Sequence, residues 1–209
     1  MRTVNCDRPS KLFRYGEYKW LVRSLLAGEF RLVPASDYAE LPDDMARQDN
    51  ELVRENAVPG DRVTITHVRT GQPIRAIGDV TFRDEVSTNY FTLCFSSTWN
   101  PLLFDEFKGS DACLVIHEPE VVCERIHHHA AQALNRWAGI DGAVSYGGDL
   151  GFGPIFTKHR KYFAQEEWRF AWVPPEQSMT LYPFCIRIGN IERHAEIVRR
   201  PVQKKDRVG

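Results

Sequence analysis

The chain has 209 residues, with 28 acidic against 27 basic side chains for a formal charge of −1, and 43% hydrophobic residues. That balance excludes a disordered or uniformly basic chain, leaves room for a local basic groove, and suits one larger domain spanning 1–209. There is no run of about 18 apolar residues and no apolar leader near the start, so a soluble, cytoplasmic protein without membrane contact is expected.

Residues 11–15 read as a short strand and 17–27 as a helix, with Trp20, Leu21, Leu25 and Leu26 as its apolar stripe and Gly28 as its stop. A strand over 30–33 follows. From 34 to 61 acidic residues dominate, which predicts a surface excursion or lid with one helix near 44–56. Residues 62–68 and 74–82 alternate around Thr70-Gly71-Gln72-Pro73, a hairpin pattern. A β-rich run, 90–95, leads into Ser96-Ser97-Thr98-Trp99-Asn100-Pro101 and a helical turn over 102–107.

The continuous apolar run 112–116 predicts a strand covered on both faces. Pro119 opens a helix to Trp137, and 143–146 is a brief strand before the glycine-rich loop 147–153. That loop lacks the Gly-Lys-Ser/Thr ending and the Gly-x-Gly-x-x-Gly spacing of phosphate cradles and reads as a turn. A helical turn, 158–162, introduces a strand through Trp172. Residues 181–188 predict a strand whose Pro183 marks an edge, 191–198 a short helix, and 199–209 a basic tail. With helices and strands mixed and no repeat, the class is α+β with a mixed, largely antiparallel sheet.

Five cysteines (Cys6, Cys94, Cys113, Cys123, Cys185), with no Cys-x-x-Cys pair, predict reduced thiols. His127, His128 and His129 are consecutive on a helix and point about 100° apart, so no metal is expected there. The chemistry concentrates in Gln165-Glu166-Glu167-Trp168-Arg169-Phe170-Ala171-Trp172. With period two, Trp168, Phe170 and Trp172 face the core while Gln165, Glu167 and Arg169 share the opposite face. Such a polar row is a solvated edge or the wall of a site. Upstream, Arg14 carries the fork best shaped for a phosphate, and Ser96, Ser97 and Thr98 place hydroxyls where a strand opens.

Arg14, then Phe95-Ser96-Ser97-Thr98, then Gln165-Glu166-Glu167 resemble, in that order, the arginine–serine–glutamate class of ADP-ribosyltransferases. Nearly the whole chain also resembles a bacterial family of undetermined function with a Leu-x-Arg/Lys-Tyr start, a Cys-Phe-Ser strand before Asn-Pro-Leu, and a late Lys-x(n)-Glu-x-Glu-Trp-Arg strand. Here these read Leu12-Phe13-Arg14-Tyr15, Cys94-Phe95-Ser96, Asn100-Pro101-Leu102 and Gln165-Glu166-Glu167-Trp168-Arg169. Two departures are Ser36-Asp37-Tyr38-Ala39 in place of Phe-Asn-Asp-Pro, and Gln165 in place of the first glutamate.

The resemblance implies a sheet split around a cleft with flanking helices, and NAD as substrate. It also implies a macromolecular acceptor, protein or nucleic acid (RNA or DNA), and a toxin or phage-defence role with an antitoxin partner. It assigns Glu167 to the ribose, Gln165 to the acceptor, Arg14 to the pyrophosphate, Ser96, Ser97 and Thr98 to the ribose side, and Tyr15 or Trp99 to nicotinamide stacking. An NAD glycohydrolase or phosphorylase, and a non-catalytic binding module, are the alternatives.

Overall fold

A computed structural model describes residues 7–40, 48–147, 153–177 and 180–201; Cys6, most of the glycine-rich loop and the tail past 201 lie outside them. The chain begins with β1 (Leu12–Gly16) and α1 (Tyr18–Ala27). The helix stops at Gly28 because the backbone turns left-handed there, at φ 61°, and a Cβ would stand 2.2 Å from the Gly189 carbonyl oxygen. Next come β2 (Glu29–Pro34) and a 3-10 turn over Ala35–Glu40.

β3 (Val53–Val58), β4 (Ile65–Thr66), β5 (Pro73–Ile74) and β6 (Val80–Glu85) form a two-stranded arm, β3 pairing with β6 and β4 with β5. After it run β7 (Phe91–Ser96), α2 (Leu103–Glu106), β8 (Ala112–Ile116) and α3 (Pro119–Ala133). β9 (Ala138–Ala143), β10 (Ser145–Tyr146), β11 (Thr157–Lys158), β12 (Glu167–Val173), β13 (Phe184–Arg187) and β14 (Ala195–Arg199) complete the elements.

Every pairing in the main sheet is antiparallel. One edge of β7 pairs along its whole length with β12, from Ser96 opposite Glu167 to Phe91 opposite Trp172. The other edge is shared: β1 holds the Ser96 end through Phe13, and β2 holds the Phe91 end through Val33 and Pro34. From there the sheet forks into a β1-β8-β14 branch and a β2-β13 branch. The domain is thus α+β with a mostly antiparallel sheet and few helices, divided at β7.

The core lies between the sheet and the inner faces of α1 and α3. It joins Leu21, Phe30, Phe95, Ile126, Trp168, Phe170 and Trp172, which are at most 3% exposed. Phe170 anchors it, its ring 5.8 Å from both Phe95 and Trp172. All five residues of β8 are buried, as an apolar run of that length demands. A polar tie crosses the back of the core: Asp141 accepts from Arg8 Nε at 3.0 Å and Trp168 Nε1 at 2.9 Å, and lies 2.8 Å from His127 Nε2. His127 is therefore an internal polar residue.

Four expectations are corrected. The helix placed at 44–56 is partly outside the described residues, and from Val53 on the chain is strand, because β6 offers it an antiparallel partner. The hairpin turn falls where its glycine and proline put it, but the strands beside it are only two residues long. Residues 191–198 form no helix: Ile191, Ala195 and Val198 imitate helical spacing, yet β8 provides an edge and the chain pairs with it as β14. In α1 the stripe is turned, leaving Trp20 and Leu26 half exposed while Leu21 and Ser24 are buried.

Candidate active site

The register around β7 decides which side chains meet. Ser96 stands opposite Glu167 on one side and opposite Phe13 on the other, so the ends of β1, β7 and β12 converge. Arg14, one residue past Phe13, reaches into the fork and donates from Nη1 to the Cys94 carbonyl at 2.9 Å. That carbonyl lies where β1 has already left β7 and β2 has not yet joined it, so a side chain takes the place of a ladder partner. Arg14 also lies over the Phe95 ring, 5.6 Å from its centroid. Arg14, Tyr15, Ser96, Gln165 and Glu167 all line one cavity of about 100 Å3.

Glu167, at the start of β12, and Gln165, at the end of a 3-10 turn over Arg160–Gln165, line that cavity while Arg169 does not. The strand expected through 165 begins only at Glu167, because Glu166 turns left-handed at φ 38°. Gln165, Glu167 and Arg169 are 4%, 4% and 0% exposed, so the solvated-edge reading is overturned. Glu167 accepts from Lys158 Nζ at 2.7 Å and from Arg169 Nε at 2.6 Å. Arg169 makes a two-pronged pair with Glu51, Nη1 to Oε2 at 2.6 Å and Nη2 to Oε1 at 2.9 Å. Lys158 Nζ also donates to Gln165 Oε1 at 3.2 Å. Two cations and two anions thus form a buried, neutral quartet.

Its electrostatics follow from proximity. Burial works against the Glu167 carboxylate, but Arg169 and Lys158 outweigh it and hold its pKa far below the ordinary range. Burial likewise opposes charge on Lys158, and Glu167 and Glu51 outweigh it, raising its pKa. Burial pushes the neighbouring Cys94 thiol up to about 12, keeping it protonated at neutral pH. Glu167 is therefore a fixed anion. Each of its oxygens accepts one bond from the quartet, and a carboxylate oxygen has room for a second.

The remaining predicted residues sit on the adjoining turn. Ser97 Oγ donates to the Glu166 carbonyl at 2.9 Å and Thr98 Oγ1 donates to the Glu166 carboxylate, so both lock the 97–98 turn to residue 166 and neither lines the cavity. Trp99 packs on Phe13 and Tyr15, ring centroids 5.8 and 5.9 Å away, and is also outside the lining. Tyr15 hydroxyl accepts from the Asn100 amide at 2.8 Å, which leaves its ring facing the hollow.

Three residues escaped the sequence reading. Lys158 is the lysine ahead of the Gln165-Glu166-Glu167-Trp168-Arg169 strand and was assigned no role there. Glu51 and Tyr38 come from the acidic excursion, which folds over the cavity: both line it, and Tyr162 hydroxyl donates to the Gln48 carbonyl to hold the segment down. Nothing in the sequence separates Glu51 from its acidic neighbours.

A second cleft of about 510 Å3 lies within the fork and shares Arg14 and Tyr15 with the first cavity. Trp20 and Arg23 of α1 and Arg31 of β2 line it. Among the described residues no group of three or more His, Cys, Asp or Glu is placed to hold a metal ion, and no helix is long and apolar enough to cross a membrane. No protein-family model, no curated protein and no solved structure matches the chain.

Proposed function

We propose that the protein is an NAD-dependent ADP-ribosyltransferase acting on a macromolecule. The observation that carries this reading is the meeting of Arg14, Ser96 and Glu167 at one cavity, with Arg14 and Tyr15 also lining a larger cleft. The hollow beside Glu167 is the size of a ring or a sugar, and the cleft beyond is large enough for the rest of a dinucleotide. A pyrophosphate bridging the two compartments falls beside the Arg14 guanidinium, and the cations Arg23 and Arg31 lie farther along.

In this reading the bond between nicotinamide and ribose breaks with its electron pair leaving on nicotinamide, and the sugar acquires oxocarbenium character. Glu167, held ionised and immobile by Lys158 and Arg169, stabilises that charge as it develops and accepts a hydrogen bond from the ribose. Ser96 flanks the ribose and Gln165 orients the acceptor, whose proton passes to solvent. Ser97, Thr98 and Trp99 shape the floor indirectly through Glu166 and Tyr15.

The test is incubation with NAD labelled in its ADP-ribose half, alone and with RNA, DNA and lysate protein. Nicotinamide release with label on a macromolecule is the expected result. Free ADP-ribose alone supports a glycohydrolase, and no cleavage under any condition supports a non-catalytic module. Glu167→Gln should slow cleavage by about 10²–10³-fold. Ser96→Ala, which disturbs no ion pair, shows whether a loss of rate reflects the site or the fold.

A further inference from the structure

The arm built by β3–β6 springs from the edge of the cavity. β3 begins two residues after Glu51, and the arm's base is closed by Val86 N–H donating to the Leu52 carbonyl at 2.9 Å. At its waist the strands approach so closely that a Cβ on Gly60 would stand 2.3 Å from the Gly78 carbonyl oxygen. Below the waist the exposed arginine Arg83 is paired, lying 2.6 Å from Glu85 and 3.6 Å from Glu55.

Beyond the waist the composition changes. Residues 61–77 contain Arg62, Arg69, Arg75 and His67 against a single acidic residue, Asp61, in a chain with 28 acidic residues among 209. All three arginines are exposed and, among the described residues, none forms an ion pair. Val68 and Ile77 are fully exposed at 103% and 101%, and Ile74 half exposed at 48%. The other side chains in the segment are Thr64, Thr66, Thr70 and Gln72, hydrogen-bonding groups of modest size, and the apolar Val63, Ile65, Pro73 and Ala76.

We infer that this arm is a nucleic-acid-binding element that carries the strand it holds toward the Glu167 cavity. A two-stranded ribbon fits a nucleic-acid groove, unpaired arginines neutralise phosphates, and an exposed aliphatic side chain at a tip, here Val68, wedges against or between bases. The distal segment has no Trp, Tyr or Phe to anchor a protein interface or a membrane surface. Binding by the arm stands on these observations alone. Only delivery to the cavity rests on the transferase reading, where it makes nucleic acid the acceptor.

The experiment is fluorescence anisotropy with labelled duplex DNA, single-stranded DNA and RNA across a salt series, without NAD. Wild-type protein should bind at least one of the three with affinity that falls steeply as salt rises. The R62Q/R69Q/R75Q variant should lose on the order of tenfold or more in affinity, and its log–log salt slope should fall by roughly 2–3, somewhat under one per lost phosphate contact. The R62K/R69K/R75K variant should keep most of the slope, and both should melt at the wild-type temperature and release nicotinamide from NAD into water at the wild-type rate.

No salt-dependent binding to any of the three probes overturns the inference, as does a triple glutamine variant that binds like wild type. Val68→Ser with Ile77→Ser abolishing self-association, in the absence of nucleic-acid binding, assigns the arm to a second copy of this chain instead. If the arm binds nucleic acid while NAD is never cleaved, the binding stands and the transferase reading falls. If NAD is cleaved and label reaches only protein, the delivery step falls.

Discussion

At the residue scale the quartet of Glu51, Lys158, Glu167 and Arg169 controls both stability and chemistry. Removing one member leaves an uncompensated buried charge, so Glu51→Ala should cost about 3–5 kcal/mol in urea unfolding. Pairing Glu51→Gln with Arg169→Met should cost less than the sum of the single changes, since the double variant buries no unmatched charge from that pair. Glu167 and Asp141 both have pKa values depressed by their cationic and hydrogen-bonding partners, despite burial. A depressed carboxylate contributes stability that is complete above its unfolded pKa, about 4, and is lost as pH falls below it. The acid limb of the unfolding profile should therefore begin near pH 4–5, and Asp141→Asn should flatten it, as read by circular dichroism along an acid titration. Thiol chemistry follows the same logic: burial pushes Cys94 and Cys113 up to about 12, whereas Cys185 is exposed. Iodoacetamide mapping should label Cys185 well before either of the other two.

At the element scale, the excursion over 48–52 is fastened by Glu51 to Arg169 and by Tyr162 to Gln48. Glu51→Ala should therefore raise amide exchange over 48–52 while leaving β8, buried on both faces, as protected as in the wild type. β14 closes one end of the sheet through five paired positions with β8, and Arg199 and Arg200 pin it further by pairing with Asp111 and Asp105. Ile197→Pro should consequently loosen that edge without disturbing the cavity, a separation visible as lost thermal stability with retained nicotinamide release.

At the scale of the whole molecule, periodicity could be read for the late aromatic strand but misled at 191–198 and in the stripe of α1. Trp168, Phe170 and Trp172 alternate with Glu167 and Arg169, and that alternation separates the aromatic core face from a buried polar face; Gln165 falls outside it, in the 3-10 turn before the strand. β8, a run without polar interruption, was equally plain. The meeting of Arg14, Ser96 and Glu167 was foreseen by resemblance, and the cavity brings them together. What could not be read was set by partners distant in the chain. Ala195–Arg199 is strand because Leu114 and its neighbours lie beside it, and Val53–Val58 because Val80–Glu85 does. Glu51 is singled out from the surrounding acids only by the position of Arg169, and Ser97 and Thr98 are turned away from the cavity by Glu166, whose left-handed backbone at φ 38° no spacing rule predicts.

The strand at which the sheet divides also governs how the chain emerges from the ribosome. Phe91–Ser96, an uncharged run rich in aromatic and aliphatic side chains, has no full-length neighbour until Glu167–Val173 has been synthesised. Through that interval a sticky segment waits with one flank bare, the situation in which nascent chains aggregate or recruit chaperones. A truncation ending before residue 160 should accumulate in inclusion bodies, and the complete chain should express more solubly when translation is slowed by cooling.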